Sequence, residues 1–311
     1  LSMQWSTDDR TNWAQFYDYP RFGFHFRYHS FGNRTVLGHA LGAYSSIHLP
    51  LIRKARFGQL DVMVGTGVAR VSRPYQIIEN PTNTAIGSHW NNLTRIKIQY
   101  SRSYRGWRWG LYTDFTHVSN GRLSTPNTGL NTAECGLSLL RSKNKSDSKS
   151  APSSSFAFRK WSLECVAILA GTSQGQFPGP KFPVYVGKFA VIRSLSPVQR
   201  LHVGIEWERN MERVHFYRGM LGIANRPEAL RYATSYLMYV GDEFVFGPVS
   251  LGVVAGIYLQ TDINTFPVYN QLFLRYYFLR NGFNSGTFLT VYLKSHVATA
   301  QYLGVGVGYQ W

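Results

Sequence analysis

Along much of this chain apolar and polar side chains alternate residue by residue, the period-two pattern of a strand with two unlike faces. In 59–71 the even positions Leu60, Val62, Val64, Thr66 and Val68 are mostly apolar, against Gln59, Asp61, Gly65 and Gly67. In 95–100, Ile96, Ile98 and Tyr100 alternate with Arg95, Lys97 and Gln99. In 200–208, Leu201, Val203, Ile205 and Trp207 alternate with Arg200, His202, Glu206 and Glu208. Followed through the chain and divided at its turn signals, the pattern predicts about 14 strands. They lie near 19–31, 37–49, 57–72, 93–104, 107–119, 132–143, 156–171, 183–195, 199–210, 229–241, 244–259, 268–279, 286–296 and 299–311.

The last of these decides between a soluble sandwich and a barrel. Residues 303–311 read Leu-Gly-Val-Gly-Val-Gly-Tyr-Gln-Trp, with an apolar outer face, a glycine-rich inner face and a terminal aromatic. That resembles the usual ending of an outer-membrane barrel, with Trp311 in the periplasmic aromatic girdle. The expected fold is therefore all-β: a transmembrane antiparallel β-barrel of about 12–14 strands. It would form one domain over 1–311, with 1–18 as a periplasmic N-terminal segment. With the C-terminus in the periplasm, tight turns at Tyr104-Arg105-Gly106, Ser196-Pro197-Val198 and Gly241-Asp242-Glu243 fall on the periplasmic side, and loops 73–92, 120–131, 172–182 and 211–228 fall outside. That is the short-inside, long-outside habit of bacterial barrels. The Lys/Ser-rich stretch 144–155 breaks it, as a long periplasmic turn.

Composition agrees. Of 311 residues 44% are apolar and 15% aromatic, yet no apolar run approaches the roughly 18 residues of a spanning helix; Val249 to Leu259 is too short. The net charge of +17 is spread over strands and loops. This suits anionic lipid headgroups or phosphorylated lipopolysaccharide; without a helix-turn-helix, zinc or aromatic RNA-binding motif, nucleic acid is not an expected partner. Cys135 and Cys165 are too few to fix a compartment. If 132–143 and 156–171 form a hairpin they sit roughly opposite each other, as a cross-strand disulfide or as two small wall residues. The histidines His25, His29, His39, His48, His202, His215 and His296 show no metal-ligand spacing, so no metal site is expected. A barrel must be exported, and no signal peptide is visible at Leu1; a mature or trimmed form is the expectation.

Candidate chemistry lies on the strand near 107–119. Trp107, Trp109, Leu111, Thr113, Phe115, His117 and Ser119 share one face, largely apolar until its extracellular end. His117 and Ser119 would then point outward at the depth of the outer-leaflet headgroups, close enough for His117 to act as base to a Ser119 nucleophile. Taken alone, His-x-Ser equally marks two polar residues at a strand end.

The surrounding residues add to this. Thr116-His117-Val118-Ser119-Asn120-Gly121, followed by Thr125-Pro126-Asn127-Thr128-Gly129-Leu130-Asn131, resembles the motif of the lipid A 3-O-deacylase family, also labelled acyloxyacyl hydrolase-like. Ala85-Ile86-Gly87-Ser88-His89-Trp90-Asn91 looks like that family's second common block, and Tyr17-Asp18-Tyr19-Pro20-Arg21 with the tail from Thr290 resembles its longer members. The resemblance implies a serine esterase of the bacterial outer membrane, removing an ester-linked acyl chain from lipid A of lipopolysaccharide without a cofactor. It implies His117 as general base, Ser119 as nucleophile and Asn127 as oxyanion donor. Asn120 is a candidate for the same shell, and equally a turn residue. Asn131 stands where the short members carry a glutamate that orients the histidine; an amide still holds the tautomer but offers no charge. Asp114 and Glu134 have the wrong parity to replace it. His89 and Trp90, beside the motif strand, are candidate contacts for the glucosamine or an acyl chain, and equally a solvated histidine and a girdle tryptophan. Two rival readings stay open: an inactive family member serving as a structural or lipopolysaccharide-binding barrel, and a diffusion channel lined by Arg95, Lys97, Arg200 and Glu206.

Overall fold

The structure is a computed structural model describing residues 1–8, 13–54, 58–141, 159–174, 179–220, 222, 223, 225–259, 267–280, 285–297 and 299–311. It is all-β apart from a 3-10 turn at Ala14–Tyr17 and two short helices, and none of its described helices is long and apolar enough to cross a membrane. The chain divides into two compact units.

Unit 1 holds β1 (Ser2–Ser6), β2 (Arg21–Ser30), β3 (His39–Lys54), β4 (Gly58–Val71), β5 (Trp90–Tyr104), β6 (Trp107–Ser119) and β7 (Leu130–Arg141) in one antiparallel sheet in chain order. In a flat sheet β2 and β7, five strand spacings apart, would be about 24 Å from each other. Yet the Arg27 guanidinium lies 2.6 Å from the Glu134 carboxylate. The sheet is thus rolled, with polar side chains on its concave face. Arg21 pairs with Asp61 at 2.6 Å, Arg95 with Asp114, and Tyr44 accepts from Arg95 at 2.7 Å.

Unit 2 holds β8 (Trp161–Ser173), β9 (Lys181–Ser196), β10 (Gln199–Asn210), β11 (Thr234–Phe246), β12 (Val249–Tyr258), β13 (Val268–Arg280), β14 (Gly286–His296) and β15 (Thr299–Gln310). Neighbours pair antiparallel, and β15 pairs with β8 from Leu303↔Gly171 to Gln310↔Glu164, closing the barrel. Helices α1 (Met211–Met220) and α2 (Arg226–Tyr232) join β10 to β11.

Both units are inverted relative to a water-soluble domain. In unit 2, outward Val203, Ile205, Leu289 and Val305 are 56%, 56%, 54% and 62% exposed, while Arg200, Glu208, Glu243 and Lys294 are fully buried. Burying a charge is costly unless it is paired and hydrogen-bonded. Here Arg275 forms a fork on Glu164 at 2.7 and 2.8 Å, Tyr302 and Lys294 meet Glu208, His202 reaches Glu243 at 3.0 Å, and Gln271 bridges Lys188 to Glu206 at 2.7 Å on each side.

The alternation therefore predicted the faces correctly, and several connections are corrected. In place of one ring of about 14 strands, the described strands fall in two sheets, of seven and eight, because β15 closes on β8. Eight strands leave an interior just wide enough for side chains to fill, which matches the packed ion pairs. Segment 1–18 contributes β1, paired with β2 from Ser2↔His25 to Ser6↔Arg21. The hairpin that would oppose Cys135 and Cys165 is not formed: β7 pairs with β6, β8 with β9 and β15, and both cysteines are free. The stretch 144–155 lies outside the described residues. Gly241-Asp242-Glu243 is strand rather than turn, because Glu243 is drawn inward by Arg200, His202 and Arg275; the turn falls at Gly247-Pro248. The strand expected from 229 begins at Thr234, since Pro227 in the first turn starts α2.

Arg275→Ala removes the cation shared by Glu164 and Glu243. A loss of about 3–5 kcal/mol is expected, seen as a lower urea midpoint in detergent micelles by tryptophan fluorescence.

Candidate active site

β6 reaches its end at Ser119 with odd positions outward: Leu111 and Phe115 are exposed, while Asp114, Thr116 and Val118 are buried. Antiparallel register sets His117 opposite Asn131 of β7 and Ser119 opposite Asn92 of β5. The side chains of Ser119, His117 and Asn131 meet in one hydrogen-bonded line. His117 Nε2 lies 2.9 Å from Ser119 Oγ, and His117 Nδ1 lies 2.6 Å from Asn131 Oδ1. An amide oxygen accepts only, so Nδ1 carries the ring proton and Nε2 is left to accept from the serine hydroxyl. Ser119 is nonetheless buried on this outward face, which lowers the number of waters competing for its hydroxyl.

The third member is neutral. Both nearby carboxylates face the concave side and are engaged there, Asp114 by Arg95 and Glu134 by Arg27 and His29. Their parity keeps them from His117, as the alternation predicts.

Asn127 and Asn120 take different parts. The Asn120 backbone N–H donates to Asn127 Oδ1 at 2.9 Å, which orients the Asn127 amide and leaves its Nδ2 without a protein acceptor among the described residues. Asn120 is buried and turns its own Nδ2 to Ser88 Oγ at 3.0 Å, committing its amide to the scaffold. His89 is held through Nδ1 by the Val71 carbonyl at 2.9 Å, away from the hydrogen bonds of the triad. Trp90 opens β5 and is 65% exposed, two residues from Asn92 and so on the same sheet face as Ser119.

Sequence reasoning missed the residues that hold these loops. Buried Asn83 donates to the Arg73 carbonyl at 2.6 Å and accepts from the Ala85 and Ile86 amides. The Ala85 carbonyl in turn accepts from the Gly129 N–H at 3.0 Å. Gly129 sits at φ +80°, and a Cβ there would lie 2.7 Å from His117 Cε1, so this loop packs directly on the imidazole. An asparagine or serine in a polar loop has no distinguishing local pattern. The one available signal was that Ser88 falls inside the block 85–91.

Two family models match in succession: lipid A 3-O-deacylase (PagL) over residues 1–139, and the acyloxyacyl hydrolase C-terminal domain over 161–311. The chain belongs to the lipid A 3-O-deacylase family. The first match covers the strands of unit 1, with the triad, and the second those of unit 2. No curated protein matches the chain. Among solved structures it is similar to a KdgM porin (9% identity, 87% of this chain and 92% of that one, TM-score 0.21). It is also similar to a mutant of Rh. blastica porin (12% identity, 100% of this chain and 89% of that one, TM-score 0.21). Among the described residues of this lipid A 3-O-deacylase family member, no group of three His, Cys, Asp or Glu side chains is placed to hold a metal ion.

Gly129→Ala puts a methyl group against the His117 ring in a backbone conformation that disfavours alanine. Displacing the imidazole from Ser119 should slow labelling of that serine by a fluorophosphonate probe about tenfold or more, measured by intact-protein mass spectrometry.

Proposed function

We propose that this protein is a serine esterase of the bacterial outer membrane that removes an ester-linked acyl chain from lipid A. The observation that carries the reading is the continuous Ser119–His117–Asn131 hydrogen-bonded line on an outward apolar face. Family membership supplies the substrate class. The inverted polarity of both units, apolar outside and charged within, supports a membrane location.

In the proposed reaction Ser119 Oγ attacks the acyl carbonyl while His117 Nε2 accepts the hydroxyl proton. The Asn127 amide nitrogen, oriented by the Asn120 N–H, donates to the oxyanion of the tetrahedral intermediate. His117 then returns the proton to the departing sugar oxygen, leaving the acyl group on Ser119. Water, deprotonated by the same imidazole, attacks that ester; the imidazolium then returns the proton to the departing Ser119 Oγ as the fatty acid leaves. Each step uses side chains alone. Asn131 keeps the imidazole in the productive tautomer but contributes no negative charge to the imidazolium. The neutral amide thus weakens one term of catalysis while preserving geometry. The diffusion-channel reading is not favoured: Arg95 pairs with Asp114, Lys97 donates to Gln99, and Arg200 and Glu206 sit in a packed interior.

Ser119→Ala should leave the barrel folded and abolish loss of an acyl chain; lipid A of unchanged mass on comparing the wild-type gene with the variant in one host would refute the reading. Asn131→Asp, which restores a carboxylate at nearly constant shape, should raise kcat by at least about tenfold, measured as fatty acid release from purified lipid A in detergent.

A further inference from the structure

The outward face of unit 1 changes character at the level of the triad. Strand pairing aligns Ser45 of β3, Thr66 of β4, Thr94 of β5, His117 of β6 and Asn131 of β7 in one row across the sheet, and every member is polar. The next row toward the β5–β6 turn, Ile47, Val64, Ile96, Phe115 and Ala133, is apolar throughout. On a face turned to hydrocarbon, five adjacent polar side chains are costly unless each finds a hydrogen-bond partner. The triad accounts for two of the five. Ser45, Thr66 and Thr94 have no part in it.

Two of these hydroxyls are ordered without being used up. Asn92, opposite Ser119 on β5, donates through Nδ2 to Thr66 Oγ1 at 3.0 Å and to the Gly67 carbonyl at 3.1 Å, and its Oδ1 accepts from Thr94 Oγ1 at 2.8 Å. A hydroxyl carries one proton and two lone pairs. Thr66 Oγ1 therefore keeps its proton for an acceptor, and Thr94 Oγ1 keeps its lone pairs for a donor; neither has another side-chain partner among the described residues. A donor and an acceptor held side by side match the hydroxyls of a sugar.

One row the other way, at the start of β5, Arg70 lies opposite Trp90. Both are exposed, and they share the face of Ser119, since Asn92 opposite that serine is two residues from Trp90. Arg70 has no carboxylate partner among the described residues. That sets it apart from the concave arginines Arg21, Arg27 and Arg95, each held by an acid. Two strand spacings and one two-residue repeat put its Cα about 12 Å from that of Ser119. The arginine side chain covers part of that distance. The rest can be spanned by a sugar that carries the scissile ester on one carbon and an anionic group on another.

We infer that the outward side of β4 and β5 is the headgroup subsite of the esterase: Arg70 binds a phosphate on the sugar of the lipid, and Thr66 and Thr94 hydrogen-bond the sugar's hydroxyls. This rests on the proposed esterase reading and adds to it what the substrate must carry besides the ester. Arginine suits phosphate because its planar fork makes two parallel N–H···O bonds. The apolar row of Ile96 and Phe115 then faces the acyl chains.

The test uses the full chain in detergent micelles, with lipid A and with lipid A stripped of its phosphates by a phosphatase. For the wild type, removing the phosphates should raise KM about tenfold, the size of one charge-assisted hydrogen-bonded contact. Arg70→Ala should raise KM for intact lipid A by a similar factor, and dephosphorylation should then add less than about twofold. Thr66→Val, which removes the hydroxyl at nearly constant shape, should raise KM for both lipids alike, by about fivefold. The Arg70 cycle is also read without turnover in a Ser119→Ala background, as binding of the two lipids by native mass spectrometry. Each variant is checked for a folded barrel by its heat-modifiable migration on gels. An Arg70→Ala penalty equal for the two lipids, as for a residue that merely anchors the protein among headgroups, or no penalty in a folded variant, would overturn the inference and leave the esterase reading intact. Hydrolysis persisting in Ser119→Ala would instead remove the esterase reading, and the binding cycle would still decide whether Arg70 reads the phosphate.

Discussion

Charges buried inside a small barrel must be neutralised there, and this constraint shapes the rest of the molecule. Alternation sends Arg, Lys, Glu, His and Tyr inward on nearly every strand, and none of them can remain ionised in a packed interior without a partner. In unit 2 the requirement is met by Arg275 with Glu164 and Glu243, and by Lys294 with Glu206 and Glu208. Those carboxylates and cations come from β8, β10, β11, β13 and β14, so they meet only when the eight strands close on themselves. The same pairing keeps the interior filled, and with it the outward face is free to be apolar.

That division of labour bears on where the proposed chemistry lies. A nucleophile on the concave side would sit among arginines and carboxylates already engaged with one another. His117, Ser119 and Asn131 instead lie on the outward face, one strand step from exposed Phe115. The neutral third member follows from the same parity: Glu134 is three residues from Asn131 and so belongs to the other face, paired with Arg27. What the triad lacks in charge it retains in geometry, with the imidazole gripped between two hydrogen bonds and the backbone at Gly129.

The two family matches follow the two units apart from Gly121–Pro126, which lies in the first match and clusters with unit 2. Gly121–Pro126 follows Asn120 and precedes Asn127, both of unit 1. Within unit 2, α1 supplies the carboxylate that meets Arg122, whose backbone is left-handed.

Residue alternation by itself determined that the fold is all-β, which residues face outward, that His117 and Ser119 share a face, and that Asp114 and Glu134 do not join them. These are local properties, set by the two-residue period of a strand and readable in any short window. The choice of Asn131 as third member came from likeness to a family; the register that sets it opposite His117 depends on the pairing of β6 with β7. Only the tertiary structure decided that β15 closes on β8, that β1 pairs with β2, that β11 runs on through Gly241-Asp242-Glu243, and that Ser88 and Asn83 hold the loops of unit 1. Each of those depends on a partner far along the chain, whose contribution is a buried charge or an unpaired backbone group. Period two says which way a side chain points, and nothing about which strand supplies what it meets.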